Sequence, residues 1–392
     1  MKPTLNALLA TVFLSQLAVL APAQSTWNGG GAPDGNFSTA ANWDTAPVSG
    51  AGNTLNFAGN LNLNVTNDIT LTSADTAINF NPGASAFTIW GNAIRAGGIA
   101  NNSSVLQTIM PSLRLNGGRT FNTGSAGLLL GQPVGSTSTS ARTVTKTGTG
   151  DLTILGGTAS SGGSSYSVSQ GALVFANTTA ASLGTGTAGI ALSASGTSLR
   201  LNNSGTLSMV GVITTVSGAG IALNNSGAVT VTGGTTIASG ASLMGAGKLG
   251  GGLISISGNV APGLSGIGTM SVSSLTFGAG SSITMEIDRA ASPNADLLSA
   301  SGTLTYGGTL TIDNIGASLM AGDSFNLFDA TLAGNFDATT MPSLDAGLQW
   351  DVSQFGSSGI ISVMAVPEPT SIALLGIGMG MIIWQVRRNK LA

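Results

Sequence analysis

Residues 199–211 read LRLNNSGTLSMVG and residues 221–233 read IALNNSGAVTVTG, so one pattern returns after about 22 residues. In both stretches apolar residues occupy every second position, and Asn, Ser and Gly interrupt the alternation. Such a pattern is typical of short β-strands joined by turns. It recurs in LNLNVTNDITLT from residue 61 and in GTLTYGGTLTID from residue 302, while residues 25–365 contain no long stretch with helical periodicity.

A period near 20 residues in a strand-rich, glycine-punctuated chain predicts a parallel β-helix, in which successive coils stack and share one core. We therefore predict an all-β fold, a right-handed parallel β-helix (β-solenoid) with aromatic-rich end caps, an N-terminal signal helix and a C-terminal transmembrane helix. Roughly fifteen coils would fit the chain at that period. A set of antiparallel sandwiches is the competing architecture, because glycine-rich turns also permit it.

The composition excludes several classes of function. Charged residues make up only 7% of the 392 residues, against about 25% in typical globular domains. The chain has no cysteine and no histidine, which excludes disulfides, thiolate catalysis, a Ser-His-Asp triad and the commonest metal ligands. We expect no cofactor and no metal site. Nucleic acid is not an expected partner, because the net charge is −3 and three of the basic residues lie in the tail.

The first residues have the features of a secretory leader. Lys2 precedes an apolar stretch from residue 5 to residue 20, and Ala21-Pro22-Ala23 forms a small-residue cleavage site. We predict cleavage after Ala23, which makes Gln24 the new N-terminus. An uncleaved membrane anchor is the alternative interpretation.

The last residues contain a second, shorter apolar segment. VPEP at 366–369 precedes an apolar run from Ser371 to Val386, which is followed by a basic tail. As a helix this run would extend about 24 Å, less than the roughly 30 Å hydrocarbon core of a bilayer. It can still span a membrane if Trp384 sits at the interface and the basic residues snorkel. The basic tail consists of Arg387, Arg388 and Lys390.

Val366, Pro367, Glu368 and Pro369, followed by a short apolar helix and an Arg-Arg tail, resemble the PEP-CTERM sorting signal of Gram-negative bacteria. The resemblance implies that an exosortase, a membrane-embedded cysteine protease, recognises this signal and removes it during delivery to the cell surface. The four residues are then substrate residues of another enzyme. Gly376 and Gly380 have the G-x-x-x-G spacing of close-packed membrane helices, a face that could contact the sorting protease.

The body also resembles a known repeat. TVTKTGTGDLTILGG at 143–157 and YSVSQGALVFAN at 166–177 are similar to the autotransporter-associated β-strand repeat, and residues 26–59 resemble the start of PEP-CTERM proteins of this type. The resemblance implies an exported solenoid rather than a particular activity. The matching positions are Thr145, Lys146, Gly148, Gly150, Leu152, Gly156, Val168, Gly171 and Leu173.

Aromatic residues cluster near both ends of the body. We expect them to form caps that shield the first and last coils, with sugar stacking as the alternative. The predicted boundaries are a signal peptide at 1–23, an N-terminal cap at 24–60, a solenoid at 61–322, a C-terminal cap at 323–365 and the sorting signal at 366–392. The cap aromatics are Trp27, Phe37, Trp43, Phe57, Phe325, Phe328, Phe336, Trp350 and Phe355.

The acidic residues are scattered along the sequence, so we predict no catalytic residue and no enzyme activity. Glu286 and Asp288 would share a strand face, and with Arg289 they could bind a cation or a sugar. An exposed charged edge that blocks aggregation is the favoured interpretation. Arg114 and Arg119, near Asn116, are expected to be isolated.

These observations predict an exported, exosortase-processed β-solenoid. The protein would first be held at the inner membrane as an intermediate and then be delivered to the cell surface or the extracellular matrix. Its expected role is structural or adhesive, with exopolysaccharide or other surface polymers as partners. A polysaccharide-degrading β-helix enzyme is the first alternative and requires a groove where acids converge. A permanently membrane-anchored surface protein is the second.

Overall fold

The computed structural model describes residues 23–159, 162–263, 266–367 and 369–389. These residues form short β-strands, a 3₁₀ turn at Ala40–Asn42, and two helices, α1 (Phe355–Ser358) and α2 (Pro369–Asn389). The predicted signal helix lies outside the described residues. The first eighteen strands are β1 (Ala23–Trp27), β2 (Asn53–Phe57), β3 (Asn64–Asn67), β4 (Leu71–Phe80), β5 (Thr88–Gly91), β6 (Ile94–Asn101), β7 (Gln107–Ile109), β8 (Leu113–Leu115), β9 (Arg119–Asn122), β10 (Leu128–Leu130), β11 (Gly135–Ser136), β12 (Arg142–Thr147), β13 (Leu152–Ile154), β14 (Gly157–Thr158), β15 (Ser164–Val168), β16 (Ala172–Phe175), β17 (Ala181–Ser182) and β18 (Ile190–Leu192).

The later strands continue the same alternation of short segments and turns. They are β19 (Ser198–Leu201), β20 (Leu207–Met209), β21 (Ile213–Thr215), β22 (Gly220–Leu223), β23 (Val229–Val231), β24 (Thr235–Ile237), β25 (Ser242–Gly245), β26 (Gly247–Ile256), β27 (Asn259–Pro262), β28 (Thr269–Phe277), β29 (Ser282–Ile287), β30 (Leu297–Tyr306), β31 (Thr309–Asn314), β32 (Ser324–Asn326), β33 (Phe328–Gly334), β34 (Ala338–Thr340), β35 (Leu348–Asp351) and β36 (Ile360–Ala365).

The strands stack into a β-solenoid of about 11 turns. One face is a sheet of 13 parallel strands, from β3 through β16, β19, β22 and β25 to β34. The other two faces join into a sheet of 20 strands, because long strands such as β26, β28 and β30 continue around the corner between them. We call the face that contains β12, β15, β18 and β21 the first face. We call the 13-stranded face the second face, and the one that contains β17, β20 and β23 the third face.

The strand pairing follows the sequence repeat. Leu199 of β19 pairs with Ile221 of β22 in a parallel ladder, and these are the residues that begin the two repeated stretches. Each of the three faces is parallel throughout. The predicted β-helix is therefore confirmed, and the sandwich alternative is excluded for the described body. The right-handed sense stays a prediction, supported by the strong preference of parallel crossovers for that hand.

The turns are longer and less regular than predicted. Paired residues lie 17 positions apart between Met244 and Ala261 and 29 apart between Leu310 and Thr339. Insertions at the corners lengthen individual coils, and the register shifts within long strand pairs, for example between Leu249 and Leu253 in the β26–β28 pair. The expectation of roughly fifteen coils was too high for this reason.

The core is a continuous column of inward-facing side chains. In β19 and β22, Leu199, Leu201, Ile221 and Leu223 are at most 1% exposed, whereas Arg200 between the two leucines points outward. Burial of each such side chain contributes about 1.5–3 kcal/mol. Since the side-chain period of a strand is two, a slip by one residue would move a whole row out of the core.

Buried asparagines secure one corner of the stack. The Nδ2 atoms of Asn203 and Asn225 each donate a 2.6 Å hydrogen bond to the carbonyl oxygen two residues later, at Gly205 and Gly227. Asn225 Nδ2 also donates to the Lys248 carbonyl of the next coil at 2.9 Å. A Cβ atom at Gly227 would overlap the Gly205 carbonyl oxygen, so glycine is required where the coils approach. The Asn-Asn-Ser-Gly motif is thus a corner motif.

At the N-terminal end, aromatic side chains fill the first coil. Trp27 and Trp43 meet edge to face with ring centroids 4.9 Å apart, and the Trp43 Nε1–H donates to the Phe37 carbonyl at 3.0 Å. Trp27, Phe37, Trp43 and Phe57 are all at most 4% exposed. Buried rings cannot stack on a sugar, so at this end the cap interpretation is confirmed over sugar stacking.

At the C-terminal end, a three-stranded antiparallel sheet of β32, β36 and β35 follows the last coil. Phe325 and Phe328 are fully buried, whereas Phe336, Trp350 and Phe355 are only partly buried against the core. This end is therefore less completely closed than the other.

The predicted C-terminal helix is present as α2, which has 21 residues. Among the described residues, no helix combines the length and the apolar character needed to cross a membrane. The helical part of the prediction is confirmed, and its transmembrane part is not supported.

Replacement of Asn225 by Ala should lower the stability of the solenoid by about 1–3 kcal/mol, because buried carbonyl groups lose their donors. Asn224→Ala is the matched control, since Asn224 is exposed and its neighbour Asn225 is buried. The midpoint of urea-induced unfolding measures both effects. Equal midpoints for the two variants would contradict the corner role of Asn225.

Candidate functional site

The predicted sorting motif lies directly after the last strand of the cap. Val366 is 42% exposed, and its N–H donates to the Gly347 carbonyl at 2.8 Å. Pro367 is also exposed. Glu368 lies outside the described residues, and Pro369 is the first residue of α2, a position that suits proline because its missing N–H has no partner within the helix. Val366 and Pro367 are thus accessible at the junction between cap and helix.

From Ile377 to Val386, the apolar side chains of α2 are exposed on all sides. A helix that is apolar around its whole circumference is unusual in water and typical of a hydrophobic environment. The ring of Trp384 is 62% exposed and lies 5.3 Å from the guanidinium carbon of Arg388. The exposed residues are Ile377, Met379, Met381, Ile382, Ile383, Trp384 and Val386.

Some of the other residues predicted to act in export and sorting lie within the described residues, and some do not. Gly376 and Gly380 have no atoms from elsewhere in the described chain within 4 Å of an added Cβ, so the G-x-x-x-G face is open. Arg387 and Arg388 occupy the last turn of α2, where positive charge is favourable. Ala23 and Gln24 begin β1. Ala21 and Lys390 lie outside the described residues.

Most acidic side chains serve local structural roles. Asp75 binds Arg95 at 2.6 Å and also pairs with Arg119, so three coils are linked by one carboxylate. Burial opposes ionisation of Asp75, but the hydrogen bonds and charges of the two arginines outweigh it and lower the pKa of Asp75. The expectation that Arg119 is isolated was therefore wrong, because residues 44 positions apart meet across stacked coils.

The predicted cluster of Glu286, Asp288 and Arg289 does not form a common site. Arg289 Nε instead contacts Asp323 Oδ2 at 3.1 Å. Asp288 Oδ1 accepts a hydrogen bond from the Ala290 N–H at 2.9 Å and closes a turn. The cation or sugar site suggested for these three residues is not assembled.

Glu286 has a different acidic neighbour, Asp296, which the sequence does not single out. Both line a cavity of about 60 Å³ beside Thr284. Asp296 is fully buried, and its oxygens accept hydrogen bonds from the Gly268 and Glu286 N–H groups at 2.7 and 2.8 Å. Burial, together with the charge of Glu286, raises the pKa of Asp296 to about 6, while the two N–H groups oppose this. The cavity holds little more than a water molecule or two.

No group of three or more potential ligand residues that could hold a metal ion occurs within the described ranges. The polar side chains that line the Glu286–Asp296 cavity are two carboxylates and a threonine. Such a pair is the element that acid–base hydrolysis of glycosides requires. Here the pair lies in a cavity too small for a sugar ring.

Lys146, like Asp296, is an ionisable residue that is fully buried. Its ammonium group donates to the carbonyl oxygens of Gly148 and Gly150 at 2.6 Å and of Gln170 at 2.8 Å, and to Thr123 Oγ1 at 2.9 Å. The lysine of the repeat-like motif thus joins the corners of three successive coils. Burial lowers the pKa of Lys146 to about 8, although Asp151 partly offsets the effect. Its role is structural.

The outward side of the first face carries a continuous column of hydroxyl groups. Strand register places nine residues one above another, at the roughly 4.8 Å spacing of neighbouring strands. All nine are partly or fully exposed, eight carry a hydroxyl, and none is charged. They are Thr120, Thr145, Ser167, Ala191, Thr214, Thr236, Ser255, Thr276 and Thr305.

A shallow groove of about 260 Å³ interrupts the first face beside this column. It lies at Gly189, which aligns with Ser165 and Val212 in the adjacent coils. Because glycine has no side chain, the surface is lower at this position. Thr143 and Thr187 also line it. Hydroxyl groups, methyl groups and backbone form this surface, which suits a neutral polar polymer better than an ion.

The sequence matches no protein-family model, and no curated protein matches it. The geometry and the sequence pattern are therefore what support a functional assignment.

The lowered pKa of Lys146 predicts that stability increases with pH. Between pH 8 and 9.5 the native lysine releases a proton that the unfolded chain, with a pKa near 10.4, retains. The free energy of unfolding should therefore rise by about 1.5 kcal/mol over this interval. Urea-induced unfolding at several pH values measures the slope.

Lys146→Met should abolish this pH dependence. Lys248→Met, which changes an exposed lysine, should leave it intact. A slope that persists in Lys146→Met would assign the dependence to another group.

Proposed function

We propose that this protein is an exported β-solenoid that an exosortase-type protease processes for delivery to the cell surface or extracellular matrix. The observation that carries the proposal is the C-terminal arrangement: Val366 and Pro367 are exposed just before α2, and the apolar side chains of α2 from Ile377 to Val386 are exposed on every side. Such a helix gains by entering a lipid or protein environment. The resemblance of 366–388 to the PEP-CTERM signal then supplies the class of processing enzyme.

In this proposal, α2 holds the chain at the inner membrane until the protease acts. Trp384 and Arg388 lie against each other near the end of the helix, an arrangement that suits the membrane interface, where tryptophan and arginine are favoured. Retention of Arg387 and Arg388 on the cytoplasmic side would leave the motif on the outer side, accessible to the protease.

The role proposed for the released body is structural or adhesive, with exopolysaccharide as the partner. The neutral hydroxyl column from Thr120 to Thr305 supports this role, because its repeat along the solenoid presents the same chemistry to each unit of an extended polymer. Many weak, equivalent contacts give strong overall attachment. The enzyme alternative is less well supported, because the Glu286–Asp296 cavity is too small for a sugar ring.

A permanently anchored surface protein would use the same helix without cleavage. Mass spectrometry of the mature C-terminus separates the two possibilities. Surface protein that still carries the peptide IIWQVRR, residues 382–388, would support the anchored alternative and contradict processing.

Replacement of Glu368 by Ala tests the sorting proposal. The variant should accumulate at the inner membrane, because the protease loses the carboxylate of its recognition motif. Fractionation followed by immunoblotting measures the distribution. Asp345→Ala is the matched control, since it removes an exposed carboxylate upstream of the motif and should reach the surface normally. Unchanged surface delivery of Glu368→Ala would refute the proposal.

A further inference from the structure

The C-terminal end of the solenoid contains a cavity that the sorting and adhesive roles do not use. Its volume is about 180 Å³. It lies between the last strands of the first face, the segment before β34, and α1. The lining residues are Tyr306, Asn335, Phe336, Thr339, Phe355 and Gly356.

The walls of the cavity are aromatic. The rings of Tyr306 and Phe355 are nearly parallel, with an interplanar angle of 7° and centroids 5.7 Å apart, and the rings of Tyr306 and Phe336 stack at 4.4 Å. Tyr306 is only 6% exposed, whereas Phe336 and Phe355 are half-buried. In contrast to the closed N-terminal cluster, this cluster therefore presents ring surface to the cavity.

The tyrosine at this site has an unsatisfied hydroxyl group. Tyr306 Oη is buried and has no hydrogen-bond partner within the described chain. The other tyrosine, Tyr166, differs, because its Oη accepts a 3.1 Å hydrogen bond from the Val134 N–H. Buried tyrosine hydroxyls are normally paired, and an unpaired one costs free energy. Tyr306 thus lacks a partner, and a ligand hydroxyl group could supply one after a small shift of the tyrosine side chain.

The rim adds neutral polar groups. The side chains of Asn335 and Thr339 are exposed at the mouth of the cavity, and none of the six lining residues is charged. A matching ligand is therefore uncharged, has an apolar face for the rings and carries several hydroxyl groups at its edge. A pyranose ring combines these properties, whereas an anion would lack a cation and a hydrocarbon would leave the polar groups unpaired.

We propose that this cavity binds a single neutral pyranose unit. The sugar ring would lie against the aromatic cluster, and its hydroxyl groups would reach the rim and, after a small shift of the Tyr306 side chain, the Tyr306 hydroxyl. A site at one end of the solenoid would hold the terminal unit or a side branch of a polymer, while the hydroxyl column contacts its length. This site rests on the proposed adhesive role and adds to it a ligand class and a second place of contact.

The chain has only two tyrosines, which permits a direct test. The full chain is prepared with ¹³Cζ-labelled tyrosine, in buffer without glycerol or glycosidic detergent, and each NMR signal is assigned with Tyr306→Phe and Tyr166→Phe. Methyl β-D-glucopyranoside, methyl β-D-galactopyranoside and N-acetyl-D-glucosamine are titrated separately. Sorbitol serves as an open-chain polyol control and benzyl alcohol as an aromatic control.

At least one pyranoside should shift the Tyr306 signal in a saturable way and leave the Tyr166 signal unchanged. In Tyr306→Phe, binding followed by calorimetry should weaken about five- to tenfold, the loss of one hydrogen bond. Phe355→Ala should weaken it at least as much. No saturable shift with any pyranoside, equal shifts of both signals, or preferential binding of benzyl alcohol would overturn the proposal. Unchanged affinity in Tyr306→Phe would contradict the part assigned to the hydroxyl.

The same pair of variants gives a readout without ligand. Tyr306→Phe should leave the urea midpoint unchanged or raise it, because it removes an unpaired buried group, whereas Tyr166→Phe should lower it by leaving the Val134 N–H unpaired. A lower midpoint for Tyr306→Phe would mean that its hydroxyl is already satisfied within the protein. Because sugar binding is measured on purified protein, failure here and failure of the Glu368→Ala experiment are independent results.

Discussion

The vertical alignment of apolar side chains between coils is the constraint on which the structure depends. A single coil cannot bury its inward face, so each row, such as Leu199 and Leu201, is covered only when Ile221 and Leu223 lie directly beside it. Because the strand period is two, this alignment also fixes every outward side chain. The outward hydroxyls therefore fall into columns without any separate interaction that aligns them, and the proposed adhesive surface is a consequence of core packing.

The same alignment leaves buried backbone carbonyl groups that need hydrogen-bond donors at the corners. Each turn brings carbonyl groups into the interior, and side chains from neighbouring coils satisfy them: Asn203 and Asn225 at one corner, Lys146 at another. These contacts join successive coils, so they reinforce the register that the core establishes. At the two ends, where no further coil follows, aromatic clusters cover the core. The C-terminal cluster with Tyr306 remains partly open.

The periodic part of the fold could be predicted from the sequence, because alternation and the repeated Asn-Asn-Ser-Gly motif are local signals. The pairing of Leu199 with Ile221 follows directly from them. The coil count could not, since loop insertions change the spacing without leaving a pattern. The meeting of Glu286 with Asp296 and the cavity at Tyr306 depend on contacts between distant segments. Alternation does place Tyr306 on the inward side of its strand, but it does not show that the hydroxyl group lacks a partner.

The parallel, in-register stack is tested most directly by disulfide crosslinking, since the natural chain has no cysteine. Ser208 and Thr230 are exposed partners in adjacent coils of the third face, and Ser182 lies one coil further away. Adjacent strands are separated by about 4.8 Å, within disulfide reach, and strands two coils apart are not. Mild oxidation should crosslink the Ser208→Cys/Thr230→Cys variant within the monomer and leave Ser182→Cys/Thr230→Cys reduced. Crosslinking of the second variant in preference to the first would contradict the stack.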